Sequence, residues 1–274
     1  MIIVGGEALV DLVPAESTVD SPLGALLPRL GGGPFNVAVA AGRLGAPVSF
    51  MSRVSTDAFG DALIDRLRLS NVDTSLVVRG PEPTTLAVTS LGADGSARYT
   101  FYAEGTADRR FADPGPLPGG TEMLALGTLS LVLEPGASAY ESVLRRESAR
   151  GVLTVLDPNI RPVLIADPDA YRTRFASWLA DVGLLKLSVE DARWLAGPTA
   201  DVFAAARSWR DAGPAVVVLT MGAKGLAAVV GPGEPVTVPA ARARVADTIG
   251  AGDTVLGALL SWLHRAGVRS ASSS

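Results

Sequence analysis

The stretch Asp247-Thr248-Ile249-Gly250-Ala251-Gly252-Asp253 runs directly into an apolar helix predicted from residue 254 onward. Glycines just before a helix let backbone N–H groups point into one cavity without an obstructing Cβ. The helix start adds positive potential from its unpaired N–H groups and its macrodipole. Asp253, in the first turn, can accept a proton from a neighbouring hydroxyl. The segment is therefore typical of a phosphoryl site beside a base, although a plain glycine turn with an aspartate cap has the same local pattern.

A second glycine-rich motif lies near the N-terminus, Gly31-Gly32-Gly33-Pro34-Phe35-Asn36-Val37-Ala38, and continues to Ala41-Gly42-Arg43-Leu44-Gly45. Gly32 and Gly33 allow the backbone to approach a polyol closely. The Asn36 side chain offers both donors and an acceptor to sugar hydroxyls. Asn36 is equally able to cap the helix that follows, and the two roles are compatible.

Together the two motifs resemble the signatures of the ribokinase-type (PfkB) carbohydrate kinases, and the likeness extends from Gly5 to Gly267. The resemblance implies a ribokinase-like three-layer α/β/α fold with a mostly parallel central sheet and a small β-sheet lid. It also implies transfer of the ATP γ-phosphoryl group to a primary hydroxyl of a sugar. Asp253 is then the catalytic base, and the amides of Gly250, Ala251 and Gly252 receive the phosphoryl charge. The expected cofactors are ATP and Mg²⁺, with a monovalent cation such as K⁺ as a further candidate.

The resemblance assigns the sugar site to further positions. Asp11 matches the carboxylate that orients sugar hydroxyls in these kinases. The hexapeptide Asp157-Pro158-Asn159-Ile160-Arg161-Pro162 resembles the fructokinase and 2-keto-3-deoxygluconate kinase branch. It follows an apolar strand, where open parallel sheets place ligands. Arg161 suits phosphate oxygens and Asn159 suits sugar or phosphate, although a proline-bounded loop with an internal ion pair is the alternative.

Two segments resemble the nucleotide and metal motifs of the family. The loop from Thr220 to Gly225 resembles its nucleotide loop, so Thr220, Gly222 and Gly225 are expected to contact ATP. Residues 186–191, Lys-Leu-Ser-Val-Glu-Asp, occupy the position of its magnesium motif. Lys186 and Ser188 are assigned to the nucleotide and Glu190 to the metal. Ser188 and Asp191 replace the usual asparagine and glutamate, which leaves open the carboxylate that serves the metal.

Short apolar runs alternate with amphipathic stretches along the chain, as expected of βα units around a mostly parallel sheet. The predicted core strands are Ile2–Val4, Val48–Arg53, Met123–Leu126, Val152–Leu156, Leu184–Leu187 and Ala215–Thr220. The predicted helices are Asn36–Leu44, Phe59–Leu69, Ser138–Arg150, Ala170–Asp181, Asp201–Ala212 and Gly252–Ala266. We expect residues 1–274 to form one domain, with a disordered tail over residues 270–274.

Two segments, at about residues 8–30 and 84–108, depart from this alternation of strands and helices. Leu86–Leu91 and Ala97–Tyr102 flank a glycine-rich turn at residues 92–96 and predict an antiparallel hairpin. Both segments are expected to form a small β layer that acts as a lid. Phe101 is a candidate for stacking on the sugar, although lid packing explains it equally well. An exposed lid edge also predicts a homodimer.

Composition excludes several functions. The 274-residue chain carries a net charge of −4, which gives no basic surface for nucleic acid. It contains no cysteine and one histidine, so thiolate chemistry and HExxH metal sites are excluded. No signal peptide and no apolar run of about 20 residues is present, which excludes a membrane span. We therefore expect a cytoplasmic enzyme whose partners are a small sugar and ATP.

The acceptor stays open at this stage. Gly6-Glu7 and the hexapeptide favour fructose over 2-keto-3-deoxygluconate, ribose or a nucleoside. Ala103, where several relatives have arginine, argues against an acidic sugar. Relatives usually continue roughly 30–40 residues beyond Leu263, about one helix–loop–helix unit, so either the sequence is truncated or the adenine site is open. A non-catalytic sugar or nucleotide sensor on the same fold is the alternative from another class.

Overall fold

The computed structural model describes residues 1–15, 24–91, 97–241 and 250–268. Four sequence expectations fall wholly or partly outside these ranges. They concern Asp247, Thr248 and Ile249 of the C-terminal motif, the hairpin turn at 92–96, residues 16–23 of the first lid segment, and the tail at 270–274.

The described strands are, in chain order, β1 (Ile2–Gly5), β2 (Leu9–Pro14), β3 (Leu26–Gly31), β4 (Val48–Ser55), β5 (Val72–Asp73), β6 (Val77–Gly80), β7 (Leu86–Leu91), β8 (Ala97–Tyr102), β9 (Met123–Gly127), β10 (Leu153–Asp157), β11 (Leu184–Ser188), β12 (Val216–Thr220), β13 (Leu226–Val229) and β14 (Val236–Val238). The described helices are α1 (Gly33–Arg43), α2 (Ala58–Leu69), α3 (Gly136–Ala149), α4 (Pro168–Trp178), α5 (Val189–Ala196), α6 (Val202–Asp211) and α7 (Ala251–Arg265).

These strands form two sheets within the described ranges. The ten-stranded sheet has the order β14-β13-β12-β11-β10-β9-β1-β4-β5, with β6 paired to β4. All its pairings are parallel except those of β13 with β12 and β14. The four-stranded sheet has the order β3-β2-β7-β8, and we call it the lid after its expected role. Because parallel strands share a direction, β1, β9, β10, β11 and β12 all end at one edge of the large sheet.

Two apolar cores cover the two faces of the large sheet. One contains side chains of α3, α4, α5 and α6, centred on the fully buried Trp178 and Tyr140. The other contains side chains of α1, α2 and α7, including Phe35, Leu63 and Leu260. Burial on both faces explains why the central strands read as continuous apolar runs. The expected three-layer α/β/α arrangement is therefore confirmed.

All six predicted core strands are confirmed, with ends shifted by at most two residues. The six predicted helices are also present, although α1 begins three residues earlier than expected because Pro34 occupies its first turn. The predicted helix over 170–181 ends as an α-helix at Trp178 and continues as a 3-10 turn, Leu179–Asp181. The sequence reading missed α5 and the short strands β5, β6, β13 and β14. None of the helices in the described ranges has the length and apolar character needed to cross a membrane.

Candidate functional site

The carboxyl ends of the parallel strands bring several predicted residues to one edge. Of the predicted residues, Asn159 lies just beyond β10, Lys186 lies within β11 and Ser188 ends β11. Glu7 after β1 and Thr128 after β9, which were not predicted as site residues, lie at the same edge. The lid faces this edge, since Asp11 of β2 and Phe101 of β8 line the same cavity as Asp253. The arrangement is the crevice in which open α/β sheets hold ligands.

Asp253 lies in the first turn of α7, and only 7% of it is exposed. Its Oδ2 accepts a hydrogen bond of 2.9 Å from Nδ2 of Asn36, which joins the two sequence motifs directly. Burial raises the pKa of Asp253, against the opposing effects of the Asn36 amide, Lys186 and Arg161. A carboxylate whose pKa is moved toward neutrality is suited to accept a proton from a hydroxyl.

The amide pocket beside Asp253 depends on the backbone of Gly250. This residue precedes α7 with φ of 72°, in the left-handed region that glycine adopts without strain. The first helical hydrogen bond runs from Thr254 N to Gly250 O. The amides of Ala251, Gly252 and Asp253 therefore precede the helical ladder, where helix N-termini attract anions.

One cavity of about 320 Å³ collects most of the predicted sugar and catalytic residues. Its lining includes Asp11, Gly32, Gly33, Asn36, Phe101, Arg161, Gly250 and Asp253. Burial raises the pKa of Asp11 to about 6, with Arg161 opposing and Asp253 reinforcing this shift. The carboxyl groups of Asp11 and Asp253 and the guanidinium group of Arg161 therefore interact electrostatically in a cavity large enough for a sugar.

The floor of this cavity is held in an unusual backbone conformation. Thr128 and Asn159 have φ of 62° and 39°, in the region that non-glycine residues rarely adopt. A Cβ on Gly33 would lie 2.4 Å from Oγ1 of Thr128 and 3.1 Å from Nδ2 of Asn159. Nη1 of Arg161 donates to Oδ1 of Asn159 at 2.8 Å. Strained residues often mark functional sites, and here their polar side chains meet beside Gly33.

Lys186 forms a buried ion pair beneath the amide pocket. Its Nζ lies 2.7 Å from Oδ2 of Asp157, and the two side chains are only 4% and 6% exposed. Burial alone would lower the pKa of Lys186, but Asp157, Asp253 and Asp191 together raise it, so the ammonium group stays charged. A Cβ on Gly252 would lie 2.9 Å from Nζ of Lys186. A fixed positive charge therefore lies against the first turn of α7.

The predicted magnesium motif contains the start of α5. Ser188 is its N-cap, and Ser188 and Asp191 form a reciprocal capping box. Asp191 Oδ1 also accepts from the amide of Ile160 at 2.8 Å, which fixes the loop after β10. Glu190 is exposed, at the second position of the helix. Among the described residues, no three His, Cys, Asp or Glu side chains cluster as metal ligands.

The predicted nucleotide loop lies outside the sugar-sized cavity. Thr220 ends β12, and Gly222 begins a 3-10 turn that leads to Gly225. Gly225 has φ of 90°, and a Cβ there would lie 2.0 Å from the carbonyl oxygen of Val238 on β14. This glycine is therefore required by the packing of the edge strands, whether or not it contacts a nucleotide.

Sequence reasoning did not select Thr128 or Leu129, which also line the cavity, and it noted Glu7 only within the Gly6-Glu7 pair that favours fructose, without a role in the site. Their only sequence signal is position, because each follows the apolar end of β1 or β9. Asp157 was noted within its hexapeptide but was not assigned a role.

Comparison with known proteins agrees with this geometry. The sequence model of the pfkB family of carbohydrate kinases matches residues 1–272. The chain belongs to this family. A fructokinase from Rhizobium leguminosarum bv. trifolii is 40% identical over 96% of this chain and 79% of its own length. The family resemblance inferred from the sequence motifs is therefore confirmed, and so is the expected ribokinase-like fold.

Solved structures of family members share the architecture. Fructokinase from Xylella fastidiosa with bound ATP has a TM-score of 0.88 at 28% identity, covering 99% of this chain and 83% of that one. A fructokinase double mutant from Vibrio cholerae O395, with fructose, ADP and potassium ion bound, has a TM-score of 0.82 at 27% identity. That match covers 96% of this chain and 83% of the other.

Proposed function

We propose that this carbohydrate kinase transfers the γ-phosphoryl group of ATP to the primary hydroxyl of fructose. The observation that carries the proposal is the position of Asp253. This buried carboxylate lies at the N-terminus of α7 and lines the same cavity as Asp11, Asn36 and Arg161. The fructokinases described above support fructose as the acceptor and ATP as the donor.

In the proposed reaction the sugar binds in the cavity below the lid. Asp11 accepts hydrogen bonds from sugar hydroxyls, and the amide of Asn36 holds Asp253 in place. Asn159 and Phe101 complete the sugar site from the floor and the lid. Asp253 then orients the primary hydroxyl and takes its proton as the hydroxyl oxygen bonds to the γ-phosphorus, the bond from that phosphorus to the β,γ-bridging oxygen breaks, and ADP leaves.

Charge stabilisation is expected to contribute more than proton removal, because phosphoryl transfer passes through a loose transition state. The amides at the start of α7 and the Arg161 guanidinium group face the developing charge. Lys186 adds a fixed positive charge beneath Gly252. Thr220, Gly222, Gly225 and Ser188 are proposed to contact the nucleotide.

Mg²⁺ and K⁺ remain part of the proposal. Magnesium is usually held by one or two carboxylates together with substrate phosphates, and the exposed carboxylate of Glu190, in the first turn of α5, fits that limited role. Bound there, the ion would neutralise phosphate charge.

A reaction that consumes ATP is expected in the cytoplasm.

The decisive experiment replaces Asp253 by asparagine and measures ADP formation with fructose, ribose and 2-keto-3-deoxygluconate. Turnover should fall by about three orders of magnitude, within the range for loss of a positioned acid–base group. ATP affinity by calorimetry should change little. Asp65→Asn, at an exposed carboxylate on α2, is the control and should match wild type. Near-normal turnover in Asp253→Asn would refute the role of the base. Fructose binding by wild type without ADP formation would instead indicate a sensor.

We also propose that two chains pair through their lids. The lid sheet ends in β3 and β8, and large apolar side chains are exposed on both, namely Leu26 and Leu27 on β3 and Tyr99 and Tyr102 on β8. Exposed edges of this kind invite strand pairing. A monomer in light scattering at all concentrations would refute the dimer.

A further inference from the structure

The lid is attached to the large sheet by four chain crossings. The first connects β1 to β2 through residues 6–8, and the second connects β3 to α1 through residue 32. The third connects β6 to β7 through residues 81–85, and the fourth leaves β8 through residues 103–107. Any movement of the lid over the sugar cavity must pass through these four connections.

Glu7 ties the first crossing to the second. Its Oε1 accepts from the amide of Gly33 at 3.2 Å, in the first turn of α1. Its Oε2 accepts from the amide of Ser130 at 3.2 Å and from the Ser130 hydroxyl at 2.5 Å. Glu7 itself lines the sugar cavity, as do Gly33 and Leu129, the neighbour of Ser130. The Glu7 carboxyl group therefore holds the backbone of the cavity floor and one lid connection together.

Asp108 ties the third crossing to the fourth. Its Oδ1 lies 2.6 Å from Oγ1 of Thr85, just before β7, and 2.9 Å from Oγ1 of Thr106, just after β8. The amide of Arg109 donates to the same oxygen at 2.9 Å. The backbone reinforces this link, since Ala107 N donates to Pro83 O at 3.0 Å. Thr85 O also accepts from Val10 N of β2 at 3.0 Å, which connects the two halves of the lid.

The two carboxyl groups are buried close to each other without a cation. Glu7 is 2% exposed and Asp108 is 8% exposed, and neither forms an ion pair within the described ranges. Both line one small cavity, together with Ser130 and Arg109, whose guanidinium group is bound to Glu104. An ionised carboxyl group buried in this way is costly, so ordinary core packing does not account for the pair.

Burial and the neighbouring polar and charged groups shift the pKa of Glu7. Burial raises the pKa of Glu7 to about 7, with Asp108 reinforcing the shift and the Ser130 hydrogen bonds opposing it. The Tyr140 hydroxyl lies nearby on α3. Across the sugar cavity stand Asp11, Arg161 and Asp253.

We propose that Glu7 and Asp108 are positioning residues that clamp the four lid connections and thereby set how tightly the closed cavity holds the sugar. Neither residue is assigned contact with the reacting groups. Loosening either clamp lets the lid open more readily, so sugar affinity falls while nucleotide affinity, set on β11 and β12, is preserved. The inference rests on the proposed sugar kinase activity.

The test compares Glu7→Gln, Asp108→Ala and Asp108→Asn with wild type. The amide introduced by Glu7→Gln has one nitrogen in place of an acceptor oxygen, so at least one donor of Gly33 or Ser130 is left unpaired. Asp108→Asn can keep all three bonds because they end on Oδ1, whereas Asp108→Ala loses them. We expect the KM for fructose to rise about tenfold in Glu7→Gln and Asp108→Ala, consistent with loss of a buried hydrogen bond. It should stay within about twofold of wild type in Asp108→Asn, and the KM for ATP should be unchanged in all three.

Glu147→Gln is the matched control. Glu147 is a fully buried carboxyl group outside the lid connections, paired with Arg146 and Arg150. Its variant should lose thermal stability but keep the wild-type KM for fructose. If Glu7→Gln and Asp108→Ala likewise change only the melting temperature, the clamp is refuted and both residues are purely structural.

Two measurements do not depend on turnover. Amide exchange in β2, β7 and β8 should be faster in Glu7→Gln and Asp108→Ala than in the Glu147→Gln control, whichever sugar is the acceptor. Because the folded pKa of Glu7 is raised, its stabilising contribution is lost as the pH rises toward about 7. The melting temperature of Glu7→Gln should therefore improve relative to wild type over that range. Unchanged amide exchange in the lid would overturn the proposal, even if fructose is not the acceptor. If Glu7→Gln does not fold, Asp108→Ala and Asp108→Asn are compared by the same measurements of KM and amide exchange.

Discussion

Removal of the Lys186 ammonium group should destabilise the protein strongly. In Lys186→Met, Asp157 loses the partner of its Oδ2, and its Oδ1 already has no hydrogen-bond partner in the described structure. Removing one member of a buried ion pair costs about 3–5 kcal/mol, because the other charge is left uncompensated. At about 2–4 °C per kcal/mol for a chain of this size, the melting temperature should fall by about 6–20 °C.

The assay is thermal and urea unfolding followed by circular dichroism. The chain contains only two lysines, so Lys224→Met provides a matched control. Lys224 is exposed in the turn after β12, and its variant should stay within about 0.5 kcal/mol of wild type. The double variant Lys186→Met/Asp157→Asn should be more stable than Lys186→Met alone, since no ionisable group is left buried without a partner.

The pH dependence gives a further check on the same variant. Burial already raises the pKa of Asp157 to about 6, with Lys186 opposing the shift, so without Lys186 its folded pKa lies still further above its unfolded value. The stability loss is then smallest at acid pH and grows as the pH rises. A Lys186→Met protein within about 1 kcal/mol of wild type at neutral pH, the size expected of a surface ion pair, would refute the reasoning.

Two further predictions concern the sugar cavity. Gly33→Ala should raise the KM for fructose by tenfold or more and leave the KM for ATP unchanged, because its Cβ would lie 2.4 Å from Oγ1 of Thr128. Gly119→Ala, where a Cβ meets nothing within 4 Å, is the control, and equal KM values in the two variants would contradict the prediction. The pKa of Asp11 is raised to about 6, so kcat/KM for fructose should decline as the pH falls below that value. Asp11→Asn should have a lower kcat/KM without this decline, and an unchanged pH profile would exclude Asp11 as its origin.

The central sheet could be predicted from sequence because burial on both faces leaves a strong local signal. β9 and β10 are short apolar runs in which every residue is buried. β5, with two residues, and β14, with three exposed residues, leave no comparable pattern. α5 was missed because residues 186–191 were interpreted as a nucleotide and metal motif and were not tested for a helix. The Ser188 and Asp191 spacing of a capping box was present in the sequence and indicated a helix start.

The site could be predicted where its residues lie in distinctive motifs. Asn36 and Asp253 were selected from separate glycine-rich segments, and the structure joins them by a hydrogen bond. Glu7 and Asp108 could not be predicted as a pair, because their proximity depends on the packing of the lid connections and not on local pattern. The left-handed backbone of Thr128 is likewise invisible in its sequence.

The position of Lys186 shows how sheet register determines the chemistry of this site. β10 and β11 pair in parallel with Val155 opposite Leu184 and Leu156 opposite Leu185. The next residues in each strand are Asp157 and Lys186, so the register itself sets this ion pair at the carboxyl edge. Because Nζ of Lys186 also lies against Gly252, the same register places a positive charge beneath the amides of α7. A shift of β11 by one residue would turn the Lys186 side chain to the opposite face of the sheet, away from Asp157, and remove that charge from the phosphoryl site.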